Sequence, residues 1–104
     1  MARMTGGRAI VRSIIEHGVD TIFGLPGIQL DHLFNALYDE RNSVRVIHPR
    51  HEQAAGYMAY GYAQSTGKPG VYAVVPGPGL LNTTAALATA YGCYAPVLAL
   101  TGQI

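Results

Sequence analysis

The stretch VIHPRHEQAAGYMAYGYAQSTGKPG, Val46 to Gly70, holds one carboxylate, Glu52, at the head of a run of alanine, glycine and tyrosine. A glutamate in a first helical turn is stabilised by the free backbone N–H groups and the helix dipole, and that alone could account for it. The residues after it point further. Ala54, Ala55, Gly56, Ala59, Gly61 and Ala63 give a helix suited to very close approach of another backbone. Two glycines inside a helix are costly without a packing reason. A carboxylate at the mouth of a helix docked so tightly is expected to be largely desolvated, which raises its pKa while the dipole lowers it. Such a group suits proton sharing with a ligand nitrogen. By the same reasoning the helix is expected to pack on another subunit or domain.

The flanking residues offer less. His48 and His51 are three apart on a loop with no third ligand in pattern, so a metal site is not expected there. Arg50 reads as a loop cation. GPGLLN, Gly77 to Asn82, approximates a G-x-G-x-x-G phosphate turn, but Asn82 replaces the last glycine and the segment follows the third strand rather than the first. A tight strand-to-helix turn explains its glycines and prolines, and says less about Asn82. GLPG, Gly24 to Gly27, reads equally as a turn. Cys93 stands alone, which leaves no disulfide framework and a cytoplasmic setting as the default. In an Ala-rich helical segment it is expected to be a small core residue.

These residues sit on alternating helices and strands. Thr5 caps a helix to about His17, with Ile10, Val11, Ile14 and Ile15 as its apolar stripe, and Gly18 closes it. VDTIFG is a first strand, and a second helix runs from about Leu30 to Asp39 with Leu30, Leu33, Phe34 and Leu37 inward. VRVIHP is a second strand. Glu52 to Thr66 is a third helix, closed by Gly67. GVYAVV is a third strand, Leu80 to Gly92 a fourth helix, and APVLALTG a fourth strand. Near-continuously apolar strands alternating with helices predict an α/β fold, a doubly wound parallel sheet with helices on both faces. In such sheets ligands bind beyond the carboxyl ends of the strands. GLPGIQ, HPRHE, PGPGLLN and TGQI fall there. Because Gln103 and Ile104 follow the fourth strand where another crossover helix would begin, the 104 residues are expected to be part of a domain.

Composition narrows the class. Charged residues make up 12% and hydrophobic residues 49%, about half and about the whole of the usual shares. So few charges suggest a surface covered by more chain or by an oligomer. Net charge is +1 with no basic run, which argues against nucleic acid. The N-terminus lacks a continuous apolar segment of the signal-peptide kind, and no apolar run approaches ~18 residues, so no membrane partner is expected.

FGLPG, RHEQAAGYMAYGYAQSTGKPGV and GPGLLNTTAALATAYGCYAPVLALTGQI together resemble the N-terminal pyrimidine-binding (Pyr) domain of thiamine-diphosphate enzymes of the acetolactate synthase and pyruvate oxidase group, from about Gly6 onward. The resemblance implies a role for Glu52 as the carboxylate that shares a proton with N1′ of the cofactor's aminopyrimidine and so promotes ionisation at thiazolium C2. It implies decarboxylation of a 2-oxo acid, with transfer of the acyl carbanion in acetolactate synthases. Pro26, Pro78, Gly79 and Asn82 match cofactor-binding positions, and Gly24, Gly27 and Gln103 match the substrate side. Mg²⁺ and the diphosphate are held in this family by a second domain, contributed by another subunit of a homodimer or homotetramer. The likeness leaves room for FAD, which no residue here indicates. Three positions depart from the family pattern: Pro76 stands where a hydroxyl residue is common, Ile28 replaces a glycine, and Tyr60 replaces an acidic or small polar residue. The reading of another class is a non-catalytic α/β binding or dimerisation module.

Overall fold

The computed structural model describes residues 3–104. Helix α1, Gly6–Glu16, starts as its cap predicts: the Thr5 hydroxyl accepts from the Arg8 N–H at 3.1 Å. At its other end His17 Nδ1–H donates to the Ser13 carbonyl at 2.7 Å, a local satisfaction of a free carbonyl at the negative pole. Strand β1 is Thr21–Gly24, followed by a 3₁₀ turn, Ile28–Leu30, and α2, Asp31–Asp39. Strand β2 is Arg45–Ile47, and α3 is Glu52–Thr66, closed by Gly67 at φ +73°. Strand β3 is Gly70–Val74 and β4 is Val97–Thr101.

One expected helix is two. Instead of a single run from Leu80 to Gly92, α4 spans Pro78–Leu81 and α5 spans Thr84–Gly92. The interruption falls at Asn82 and Thr83. There Thr83 takes φ −99° and ψ 0°, flatter than a regular helical turn, and its hydroxyl donates back to the Leu80 carbonyl at 2.7 Å.

All four strands are parallel, in the order β2-β1-β3-β4. α1 and α2 pack together on one face, where Val11, Ile14, Leu33 and Leu37 meet Ile22, Val71 and Ala73. α3 and α5 share the other face, where Ala55 and Ala59 meet Phe23, Tyr72 and Val74, with Leu87 alongside. The central strands β1 and β3 are buried along their whole length, as their apolar runs predict. β4 is only partly covered, and Leu98 remains 45% exposed.

Two expectations about side chains are overturned. Ile10 does not join the α1 stripe and is exposed, because the helix turns Val11 and Ile14 onto the sheet instead. Cys93 is exposed, since it caps the C-terminus of α5 beyond the packed turn. Part of the small-residue face of α3 packs within this chain, while Ala54 is only partly covered and Gly61 is exposed. Ala55, Gly56, Ala59 and Ala63 are buried against β3 and α5. A side chain at Gly70 would run into the Ala59 carbonyl, and one at Gly56 would come within 2.8 Å of the Ala86 Cβ. Ala59→Arg would therefore break the fold rather than disperse an assembly. Phe34 is half-buried, its ring stacked on His48 at 6.2 Å.

The two α3-side glycines whose neighbours differ most give a clean test. Gly70→Ala should destabilise the chain by about 3 kcal/mol or more, because backbone must move to admit the methyl group. Gly61, which has nothing within 4 Å of an added Cβ, should behave oppositely, with Gly61→Ala gaining roughly 0.5–1 kcal/mol of helix propensity. Urea unfolding of both variants measures the difference. Equal effects would mean that α3 does not lie on β3 as closely as described.

Candidate functional site

β1 and β3 are neighbours, yet their chains leave in opposite directions: β1 runs through α2 to β2, and β3 runs through α4 and α5 to β4 on the other face. In open sheets such a divergence marks the place, beyond the carboxyl ends of the strands, where ligands bind. GLPG follows β1 and PGPG follows β3. Helix α3, which crosses from β2 to β3, presents its first residue, Glu52, at the same end.

The local chain conformation fixes that presentation. Pro49 after His48 keeps the segment extended, and His48 Nδ1–H donates to the Gly24 carbonyl at 3.0 Å, tying the end of β2 to the end of β1. His51 is the helix cap: its Nδ1 accepts from the Gln53 N–H at 3.0 Å, so its proton sits on Nε2. Arg50 is exposed, as a loop cation should be.

Glu52 is half-buried and its Oε1 accepts from Asn82 Nδ2 at 3.2 Å. Its Oε2 lies beside Gly79, where a built Cβ would be 3.7 Å away. The glycine keeps that oxygen approachable. The expected desolvation does not prevail here. The carboxyl is held below its ordinary value, first by its own backbone N–H and then by the Asn82 amide, with desolvation the weaker, opposing effect. Glu52 is thus an ionised acceptor with one oxygen bonded and one turned to the glycine loop.

Val75 joins the two glycine loops. A Cβ at Gly79 would come within 2.7 Å of Val75 Cγ2, and one at Gly27 would collide with Cγ1. Gly77, at φ +70° and ψ −125°, takes a backbone conformation that suits glycine, and it turns the chain out of β3 into α4.

Of the residues singled out by sequence, the structure brings Glu52, Asn82 and Gly79 together and links Gly27 to them through Val75. Gly24 is buried at the end of β1, with a built Cβ 3.2 Å from the Phe34 ring. Pro26 and Pro78 are exposed on their loops, and Gln103 is exposed beyond β4 with no hydrogen bond to this group among the described residues. Sequence reasoning missed Val75, Tyr72 and Thr83. Tyr72 carried a signal, being a phenol in an otherwise aliphatic buried strand. The site is an open surface: the clefts of about 160 to 560 Å³ elsewhere in the chain are lined by none of Glu52, Gly79 and Asn82. Among the described residues no three His, Cys, Asp or Glu side chains gather as a metal site.

Comparison with known proteins agrees with this geometry. Residues 4–104 match the family model described as thiamine pyrophosphate enzyme, N-terminal TPP binding domain. The chain is 44% identical over 91% of its length to the probable 2-ketoarginine decarboxylase AruI of Pseudomonas aeruginosa, covering 17% of that protein. It is 42% identical over its full length to the acetolactate synthase of Mycobacterium bovis, again 17% of the relative. With the acetolactate synthase of Mycobacterium avium it shares 43% identity over 98% of its length, 16% of the relative. The chain thus spans about a sixth of the length of these curated relatives.

The lowered pKa of Glu52 has a consequence for stability. A carboxyl whose folded pKa lies below its unfolded value contributes stability that is fully present above the unfolded pKa and is lost as pH falls through the folded one. Glu52→Gln should remove that part of the pH dependence and flatten the acid limb. Urea midpoints between about pH 3 and 6 test it. An unchanged acid limb in Glu52→Gln would show that the carboxylate is not held by these donors.

Proposed function

The chain belongs to the thiamine pyrophosphate enzymes, as their N-terminal TPP-binding domain, and on that footing we propose that Glu52 is the carboxylate that shares a proton with the cofactor's aminopyrimidine. The observation that carries the reading is the Glu52 carboxylate itself. One oxygen is fixed by Asn82 and the other is left beside a glycine at the switch point of the sheet. A flat heterocycle with an N–H donor fits such an acceptor, because Gly79 puts no side chain in its way. When bound, thiamine diphosphate supplies the electron sink for cleavage next to a carbonyl group.

The chain's own work is then positioning and one proton. Asn82 fixes the rotation of the Glu52 carboxylate and favours its ionised form. An ionised carboxylate has no proton to give, so the proton it shares with a ring nitrogen would be taken up from water on binding and kept between the two only where water is then excluded. The open surface around Glu52 supports a second surface closing over the site, which we take to be a diphosphate- and Mg²⁺-binding domain of another subunit, in a homodimer or homotetramer. Pro26, Pro78, Gly79 and Asn82 would line the pyrimidine end, and Gly24, Gly27 and Gln103 the substrate side. FAD has no support in these residues.

We assign the whole protein to decarboxylation of a 2-oxo acid, with transfer of the resulting acyl group to an acceptor in the acetolactate synthase manner. Support comes from relatives named as acetolactate synthases and as a decarboxylase of 2-ketoarginine, itself a 2-oxo acid. A cytoplasmic setting suits a lone exposed cysteine. Among the described residues no helix is long and apolar enough to cross a membrane. A non-catalytic module would leave the Glu52–Asn82 pair without a role.

In the full-length protein, Glu52→Gln should retain the fold and lose most of the activation of the cofactor, read as hydrogen–deuterium exchange at thiazolium C2. Exchange as fast as in the parent removes Glu52 from the mechanism. The 104-residue chain alone should bind the cofactor weakly. A charge-assisted hydrogen bond contributes about 1.5–3 kcal/mol in a favourable setting, and less at a half-exposed group. Lost translational freedom costs ~4 kcal/mol or more. Isothermal titration with thiamine diphosphate and Mg²⁺ should show no micromolar affinity, and finding it would place the diphosphate site within this chain.

A further inference from the structure

Tyr72 and Thr83 are fully buried, and their hydroxyl oxygens lie 2.7 Å apart. The single proton of Thr83 Oγ1 is committed to the Leu80 carbonyl, so the Tyr72 phenol must donate to Thr83. The three groups form a directed relay from mid-strand β3, through the α4–α5 break, to the end of α4. Asn82 is the residue immediately before Thr83, at that same break.

The helix that carries Glu52 is referenced to the same point. One turn beyond Glu52, a Cβ at Gly56 would stand 3.6 Å from the Thr83 Cβ and 3.8 Å from the Tyr72 Cζ. The nearest atom there is the Ala86 Cβ at 2.8 Å, so the helix that carries Glu52 and the start of α5, next to Asn82, are seated on each other in one buried place. A valine at residue 83 would fill the same space but lose both hydroxyl bonds, and the turn at Asn82 and Thr83 would no longer be tied to β3 and to the Leu80 carbonyl. Asn82, one residue before Thr83, would then be free to shift off Glu52.

We propose that Tyr72 and Thr83 are positioning residues: their hydroxyl relay pins the α4–α5 break and thereby holds the Asn82 amide on the Glu52 carboxylate. They touch neither cofactor nor substrate in this reading and act through Asn82. Their meaning for catalysis rests on the role proposed for Glu52. The relay itself does not, and it is tested with no cofactor present, so the two can fail separately.

The test is a carboxyl-carbon NMR titration of the chain labelled at its three glutamates, Glu16, Glu40 and Glu52, with Glu52→Gln identifying the relevant signal. Asn82→Ala should move the Glu52 midpoint upward, toward an ordinary carboxylate. Thr83→Val should move it in the same direction although it removes no group that touches Glu52. Combining Thr83→Val with Asn82→Ala should add nothing to Asn82→Ala, the coupling expected when one residue acts through the other. Thr83→Ser keeps the hydroxyl and should titrate like the parent. If Thr83→Val does not fold, Tyr72→Phe, which removes only the phenol oxygen, carries the test with the same upward shift expected. A folded Thr83→Val or Tyr72→Phe in which Glu52 titrates as in the parent overturns the proposal, as would additive shifts, because the hydroxyls would then only satisfy each other inside the core.

Discussion

The approach of α3 to β3, where the Ala59 carbonyl lies against Gly70, is the contact on which the site depends. Residues of the size of alanine and glycine are needed on both sides of it, and they leave α3 no freedom to slide or tilt. Glu52 stands at the first residue of that helix, so its place above the ends of β1 and β3 follows from packing seven residues away. The chain builds its most chemically expressive side chain onto its most tightly seated helix. A group that must meet a ligand atom within a fraction of an ångström benefits from such a foundation.

Around that helix the loops are tuned to one another rather than to the sheet alone. Val75 meets both Gly27 and Gly79, so the turns after β1 and β3 are spaced by a single side chain. His48 ties the end of β2 to the end of β1 through the Gly24 carbonyl. Three strand ends thus share one network, and Glu52 and Asn82 lie within it. The electrostatic character follows from this geometry. Half-exposed and given two donors, the carboxyl stays ionised. The closing of a second surface would raise the desolvation that is now the weaker effect, and the balance between the two would then set the proton's position.

Much of this was legible in the residues. Turn glycines, the Thr5 cap and near-continuous apolar strands gave the order and type of the elements, because those signals are local. GLPG, HPRHE and PGPGLLN could be assigned to one end of the sheet by counting strands. Signals that depended on which way a residue turns were less legible. Ile10 fits an apolar stripe by spacing but faces water, and Cys93 sits in an Ala-rich run yet lies past its last buried turn. The small face of α3 was rightly read as a close-packing surface, but sequence could not tell a partner subunit from the chain's own third strand.

What the sequence determined by itself is the alternation of helix and strand, the parallel doubly wound class and the place of Glu52 at the head of a small-residue helix. Each rests on interactions among residues a few positions apart. Only the tertiary structure decided that Asn82, thirty residues away, is the partner of Glu52, and that Val75, Tyr72 and Thr83 support them. It also decided that the carboxyl is held below its ordinary value rather than above it. Those outcomes depend on where a crossover helix lands on the sheet and how much water remains beside it. Neither is encoded in local spacing, because both are set by the summed packing of elements far apart in the chain.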